Sequence, residues 1–203
     1  MGTLRNLRNL SWKDGQINPS GIKSVVYFFR KADVKTFPTM SAEPKSATEA
    51  VTYDGDFELV EGATAIEIYT TQGKGKAEFE GSGEKDCKMV TNKLTLSYPD
   101  MNDEAVDFVN SNINANGIFI ATHYTAGGKV AYVVVGGQHF DPEITINGTT
   151  GDAAGSARGL TIEVSAPDFY ALPRYTGIIP LPEGTLNCAT GVFTPTAAAP
   201  GGE

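Results

Sequence analysis

Apolar and polar residues alternate with a period of two through much of the chain. Val51, Tyr53, Phe57 and Leu59 alternate around an Asp54-Gly55 turn or bulge, and Ala65, Glu67 and Tyr69 oppose Ile66 and Ile68. Lys76, Glu78 and Glu80 oppose Ala77 and Phe79, and Val90, Leu94, Leu96 and Tyr98 form a further run ended by Pro99. This is the period of strands wet on one face and buried on the other. The segment IKSVVYFFR at Ile22–Arg30, dense in β-branched and aromatic residues, reads as a buried strand. Strands are predicted again over residues 118–124 and 130–135, joined by Thr125-Ala126-Gly127-Gly128 as a hairpin. Another pair, 144–147 and 160–164, flanks a Gly-rich loop.

One segment changes period. In DEAVDFVNSNI, residues 103–113, Val106, Val109 and Ile113 fall at helical spacing with Ala105 and Phe108 beside them. Asn102, Asp103 and Glu104 suit a cap and first turn, and Asn116-Gly117 supplies a stop, so a helix of about three turns is expected. Residues 36–47, with Pro38 and Pro44, read as an irregular loop. The fold class that follows is mainly β: a single β-sandwich or barrel with one flanking α-helix and an extended terminal arm and loops. The chain divides into an N-terminal arm (1–20), the β domain (21–180) and a Pro/Gly/Ala-rich C-terminal extension (181–203), whose end TPTAAAPGGE reads as a mobile tail.

Composition narrows the chemistry. Two Cys (Cys87, Cys188) and two His (His123, His139) in 203 residues exclude a disulfide framework and a multi-ligand Cys/His zinc site. Free thiols are expected. The start of the chain has no continuous apolar run of the secretory kind, and the six apolar residues at Val130–Val135 fall short of the ~20 a spanning helix needs. A soluble protein without membrane association is therefore expected. Net charge is −8, which disfavours broad affinity for nucleic acid. The charge is unevenly placed: residues 1–35 carry a net +5 and the remainder −13. Either the basic arm has no partner, or it docks on an acidic face of a neighbouring copy. Leu4, Leu7, Leu10 and Trp12 within it are costly to leave in water, which favours packing on something.

Candidate catalytic groups read better as structural ones. Gly73-Lys74-Gly75-Lys76 lacks phosphate-loop spacing and leads into a strand, so a β-turn is expected. His123 and His139 stand in no recognisable motif, and Cys87 has no local His and acid to activate it. Asp54-Gly55-Asp56 and the group Asp100, Asp103, Glu104 and Asp107 do not follow a calcium-loop pattern. No catalytic, cofactor-binding or metal-ligating residue is assigned, and a non-enzymatic protein is expected.

The stretch TGDAAGSARGLTIEVSAPDFYALPRYTG, residues 150–177, resembles the C-terminal part of phage major tail tube proteins. IYTTQGKGK, DCKMVTNKLTLSYP and the helix DEAVDFVNSNI resemble the same group, particularly its members from phages and prophages of Bacteroidota. The likeness spans about residues 20–180. It implies a virion structural protein, assembled in the bacterial host cytoplasm, whose hexameric rings stack into a tube and meet other phage tail proteins. DNA would pass through without specific binding, and no cofactor is implied. Arms and loops would bridge copies: Leu4, Leu7, Leu10 and Trp12, the region 42–52, and Leu172, Pro173, Arg174 and Tyr175. Strands of adjacent copies would close an inner barrel and so remove exposed edges. Carboxylates facing the lumen, among them Glu67, Glu78 and Glu80, would repel a duplex that carries one negative charge per ~1.7 Å of axis. Alternatives are a capsid-decorating or head–tail joining protein and, in another class, a carbohydrate-binding or adhesin module using Tyr53, Tyr69, Tyr124 and Tyr170.

Overall fold

The computed structural model describes residues 8–196. Strand β1 (Ile22–Arg30) is followed by the short strands β2 (Val34–Thr36), β3 (Thr39–Met40), β4 (Tyr53–Asp54) and β5 (Glu58–Leu59). Then come β6 (Ile66–Tyr69), β7 (Lys76–Ser82), β8 (Met89–Tyr98), helix α1 (Asp103–Asn112), β9 (Gly117–Tyr124) and β10 (Val130–Val135). The chain ends through β11 (Glu143–Thr149), β12 (Gly159–Asp168), β13 (Arg174–Tyr175), β14 (Ile178–Leu181), β15 (Gly184–Asn187) and β16 (Val192–Pro195). All ladder pairings are antiparallel. The fold is mainly β with one α-helix, as the alternation predicts.

Two sheets face each other: five strands in the order β13-β10-β9-β1-β6, and four in the order β11-β12-β8-β7. Between them, alternate residues of both sheets form the first core, including Val26, Phe28, Phe119 and Val133 from one and Leu94, Leu96, Ile162 and Val164 from the other. The five-stranded sheet is buried on its second face as well. There Phe29, Ile118, Ile120, Tyr132 and Val134 pack with Phe57, Ile179, Leu181, Leu186 and Cys188. This explains the unbroken apolar run VAYVVV of β10, since a strand covered on both faces has no wet side to encode.

The cover of that second face is the meander β14-β15-β16 together with the chain from Phe37 to Leu59. The C-terminal extension expected from residue 181 is thus, up to Pro195, part of the folded body. Its strands have four residues each and are punctuated by Pro180, Pro182 and Gly184, too short for a period to show. Asp56 helps fix the meander, its Oδ1 accepting from Ile178 N–H at 3.0 Å.

Helix α1 begins where its sequence places it: Asn102 Oδ1 accepts from Ala105 N–H at 3.0 Å, the expected cap. Ala105 and Asn112 are its buried residues, and Phe108 leans on the first core. Val106 and Ile113 point to solvent instead of joining the core. The buried stripe runs through 105, 108 and 112, one residue round the helix from the stripe the spacing suggested. The Gly73 and Gly75 segment is a turn, closed by Lys74 N–H on Thr71 O at 3.0 Å. At Gly159 a side chain is barred twice, by a φ of +129° and by the Tyr98 carbonyl against which a Cβ would press.

Candidate functional site

The outward face of the four-stranded sheet is a regular polar surface. Strands β7 and β8 bring Lys76 opposite Thr95, Glu78 opposite Lys93, and Glu80 opposite Thr91. Strand β12 adds Thr161 opposite Ser97, Glu163 opposite Thr95 and Ser165 opposite Lys93. Beyond it β11 places Asn147, Thr145 and Glu143 opposite these three. The intervening residues, Leu94, Leu96, Ile162 and Val164, point into the core, so the polarity of this face is set by the pleat. Its charged groups are Lys76 and Lys93 against Glu78, Glu80, Glu143 and Glu163, a net −2 per copy.

Two of these carboxylates are tied down. Lys76 Nζ lies 2.8 Å from Glu78 Oε1, and Lys93 Nζ lies 2.7 Å from Glu80 Oε1. The hydrogen bond to Glu80 raises the Lys93 pKa above its ordinary value. Among the described residues no cation pairs with Glu143 or Glu163, the two further acidic residues of the face. Their signal was present in the alternations EITIN and TIEV. Glu67 does not join them. It sits on β6 opposite Tyr27, in the other sheet and on the side of the second core.

Among the described residues both edges of this sheet are open: β7 pairs with β8 alone and β11 with β12 alone. Strand β11 runs seven residues in continuous register, with no bulge and no Lys or Pro. Apart from Glu143 at its start it lacks the devices that commonly blunt a free edge, and its outer N–H and C=O groups form a template for another strand.

A second feature lies at the corner where β12 ends. Phe37, Tyr53, Phe140, Phe169, Tyr170 and Asp168 are among the residues lining a 170 Å³ cleft. Asn92, wholly buried on β8, holds this corner: Nδ2 donates to Tyr170 O at 2.9 Å and contacts Asp168 Oδ2 at 3.4 Å, while Oδ1 accepts from Leu172 N–H at 2.9 Å. Leu172 itself takes a φ of +40°, a conformation L-residues rarely adopt. Burial raises the Asp168 carboxyl above the usual carboxylate range. Burial and the Asp168 charge likewise raise the Tyr53 phenol.

The expected bridging segment at 172–175 adjoins this corner. Pro173 is buried and its carbonyl accepts from Val134 N–H at 2.9 Å. Arg174 and Tyr175 form β13 on the edge of the five-stranded sheet. Tyr175 lies in the second core, 1% exposed, donating to Ile178 O at 2.9 Å and accepting from Phe57 N–H at 3.2 Å. These residues hold their own chain together. The arm differs. Leu4 and Leu7 lie outside the described residues, while Leu10, Trp12 and Ile17 are exposed. The region 42–52 stays close to its own chain through Glu49, which accepts from Lys45 N–H and Ser41 Oγ at 2.9 and 3.3 Å.

The remaining candidates are dispersed. His123 and His139 lie toward opposite ends of the β9–β10 pair, since Ala131 faces His123 and Val135 faces Phe119 roughly 13 Å along the ladder. His123 Nδ1 donates to Tyr124 O at 2.9 Å, and burial lowers its pKa. His139 packs edge-on against Phe169. Cys87 is exposed and Cys188 buried, both as free thiols. Asp100 pairs with Arg158 at 2.6 Å. Tyr53 and Tyr170 share the cleft, but Tyr69 and Tyr124 line two other surfaces, so the four tyrosines form no common platform. Among the described residues no three His, Cys, Asp or Glu side chains gather to hold a metal, and no helix is long and apolar enough to cross a membrane. Comparison of the chain with protein-family models, curated proteins and solved structures finds no match.

Proposed function

We propose that this chain is a non-enzymatic structural subunit of a phage tail tube, a reading that joins the resemblance of its motifs to the form of its four-stranded sheet. The observation that carries it is a sheet with one polar face, one buried face and two open edges. Such a sheet satisfies its edges by pairing β7 of one copy with β11 of the next. Repeated around a ring, the pairing closes a barrel, and the polar face becomes either its lumen or its outer wall. The first core and the five-stranded sheet occupy the opposite side, so the lumen is the face of Lys76, Glu78, Glu80, Lys93, Glu143 and Glu163.

The chemistry of that face suits passage of a polyanion. Its small Ser, Thr and Asn side chains offer little to stack on bases, and its net −2 per copy repels phosphate. Rings of six, stacked along the axis, are the form the resemblance implies. The proposed partners are further copies of this chain, other tail proteins and DNA in transit, all within the virion.

Negative-stain microscopy of the purified full chain tests the proposal. Six-fold rings or hollow tubes are the expected particles. A protein that stays monomeric at every concentration tried contradicts the assignment.

A further inference from the structure

The cleft at the β12 corner joins an aromatic wall to a buried carboxyl. Phe37, Tyr53, Phe140, Phe169 and Tyr170 line it. The rings stand at steep angles, Phe37 and Tyr53 at 76° and 69° to Phe57 and Phe140 at 65° to Phe169, so they box a space instead of stacking flat. Asp168 belongs to the same lining and is only 8% exposed.

The neighbours of that carboxyl hold it without neutralising it. Its Oδ1 accepts from Tyr170 N–H at 3.1 Å and its Oδ2 lies 3.4 Å from Asn92 Nδ2, both neutral donors. Among the described residues no Lys or Arg pairs with Asp168, and the lining contains neither. The basic group in the lining is His139, set edge-on to Phe169. Burial outweighs the hydrogen bonds and the His139 charge, and raises the carboxyl above its usual range. A buried anion without a full cation beside it is costly, and a cation brought into the cleft offsets that cost.

The lining also selects the kind of cation. A primary ammonium exchanges water for three hydrogen bonds, and the one carboxylate here already meets two N–H donors. A quaternary ammonium donates no hydrogen bond and is attracted by the faces of aromatic rings as well as by the anion. At 170 Å³ the space falls below the ~300–1,000 Å³ of sites for larger ligands, which suits a compact headgroup. We infer that this cleft binds a quaternary ammonium group, with the aromatic rings around it and the Asp168 carboxylate beside it. The site shares no residue with the polar face of the four-stranded sheet and does not depend on self-assembly.

Saturation-transfer NMR with choline chloride and the full chain tests the inference, since it reads the methyl signal of the free ligand for monomer and assembly alike. At about pH 8, above the ordinary imidazole range, the formal charge of the lining is that of Asp168. Choline is expected to bind saturably, about tenfold more tightly than ethanolamine or than its neutral isostere with carbon in place of nitrogen. Asp168→Asn, with folding checked by circular dichroism, weakens choline about tenfold and leaves the neutral isostere unchanged. Phe169→Leu, at a side chain 58% exposed, keeps the bulk but loses the ring and weakens choline about threefold. Phosphatidylcholine vesicles that displace choline support the site and place the group on a lipid, whereas vesicles that do not displace it support a free solute. No saturable choline binding, an isostere that binds as tightly as choline, or choline affinity unchanged in a folded Asp168→Asn or in Phe169→Leu overturns the inference.

Discussion

Asn92 is the residue whose replacement the structure predicts most sharply. It is 0% exposed, yet each end of its amide is used: Tyr170 O, Asp168 Oδ2 and Leu172 N–H converge on it from the corner that follows β12. Asn92→Ala takes a bond from a backbone carbonyl and from a backbone N–H, each loss costing about 1–2 kcal/mol in a buried setting, for a total of about 2–4 kcal/mol. In a chain of 203 residues that corresponds to a fall in Tm of about 5–15 °C. Asn92→Asp preserves shape and the acceptor for Leu172 but replaces the donor by a second carboxylate beside Asp168. It is predicted to be at least as destabilising at neutral pH and to recover in acid, where a protonated carboxyl can donate again. The sign follows from linkage: a carboxyl whose folded pKa is raised favours the folded state while protonated and loses that contribution as pH rises through the folded value. Thermal unfolding followed by circular dichroism between pH 4 and 8 reads both effects, those limits being set by the range about the ordinary carboxylate and neutral pH. An Asn92→Ala Tm within about 2 °C of the parent, or an Asn92→Asp deficit that does not shrink in acid, refutes the role assigned to this corner.

Further outcomes rest on other parts of the molecule. Tyr175→Phe keeps the ring in the second core but strips the hydroxyl from Ile178 O and Phe57 N–H, and is predicted to cost about 1–3 kcal/mol in urea unfolding. Cys87, exposed, reacts with an aromatic disulfide reagent in the native protein. Cys188, whose thiol burial pushes up to about 12, reacts only once the chain unfolds. Glu143→Lys with Glu163→Lys turns the net −2 of the polar face into +2 while leaving the core untouched. Assembled tubes of that double variant are predicted to retain short duplex DNA at low salt and release it at high salt, whereas parent tubes retain none in a gel-shift assay.

Much of the fold could be read from the pleat. The strands at Ile22–Arg30 and Val130–Val135 fall where the sequence predicts them, because β-branched runs bounded by turn residues leave few other options. The helix was equally legible from Asn102 and the change of period, although its buried stripe was not, since Val106 and Ile113 are as apolar as the residues facing in. The meander Ile178–Pro195 escaped because its strands are too short to show alternation and their burial depends on a distant sheet. The polar face was half legible. Glu78 and Glu80 share it, but no local signal separates them from Glu67, which lies on an equally regular strand of the other sheet. The cleft was not legible at all, being assembled from Phe37, Tyr53, Phe140 and Phe169, which are far apart along the chain. The place of Tyr175 was hidden for the opposite reason: in a short polar-looking segment after Pro173 it is an internal staple because two partners reach it from residues 57 and 178.

The central claim is that the face bearing Glu78, Glu80, Glu143 and Glu163 lines the bore of a tube made from copies of this chain. A helical reconstruction by electron cryomicroscopy of particles formed by the purified protein tests it most directly. The account predicts a continuous barrel in which β7 of each copy pairs with β11 of its neighbour and these four carboxylates point to the axis. Tubes whose bore is lined by the five-stranded sheet or its meander, with the four carboxylates on the outer wall, would contradict it.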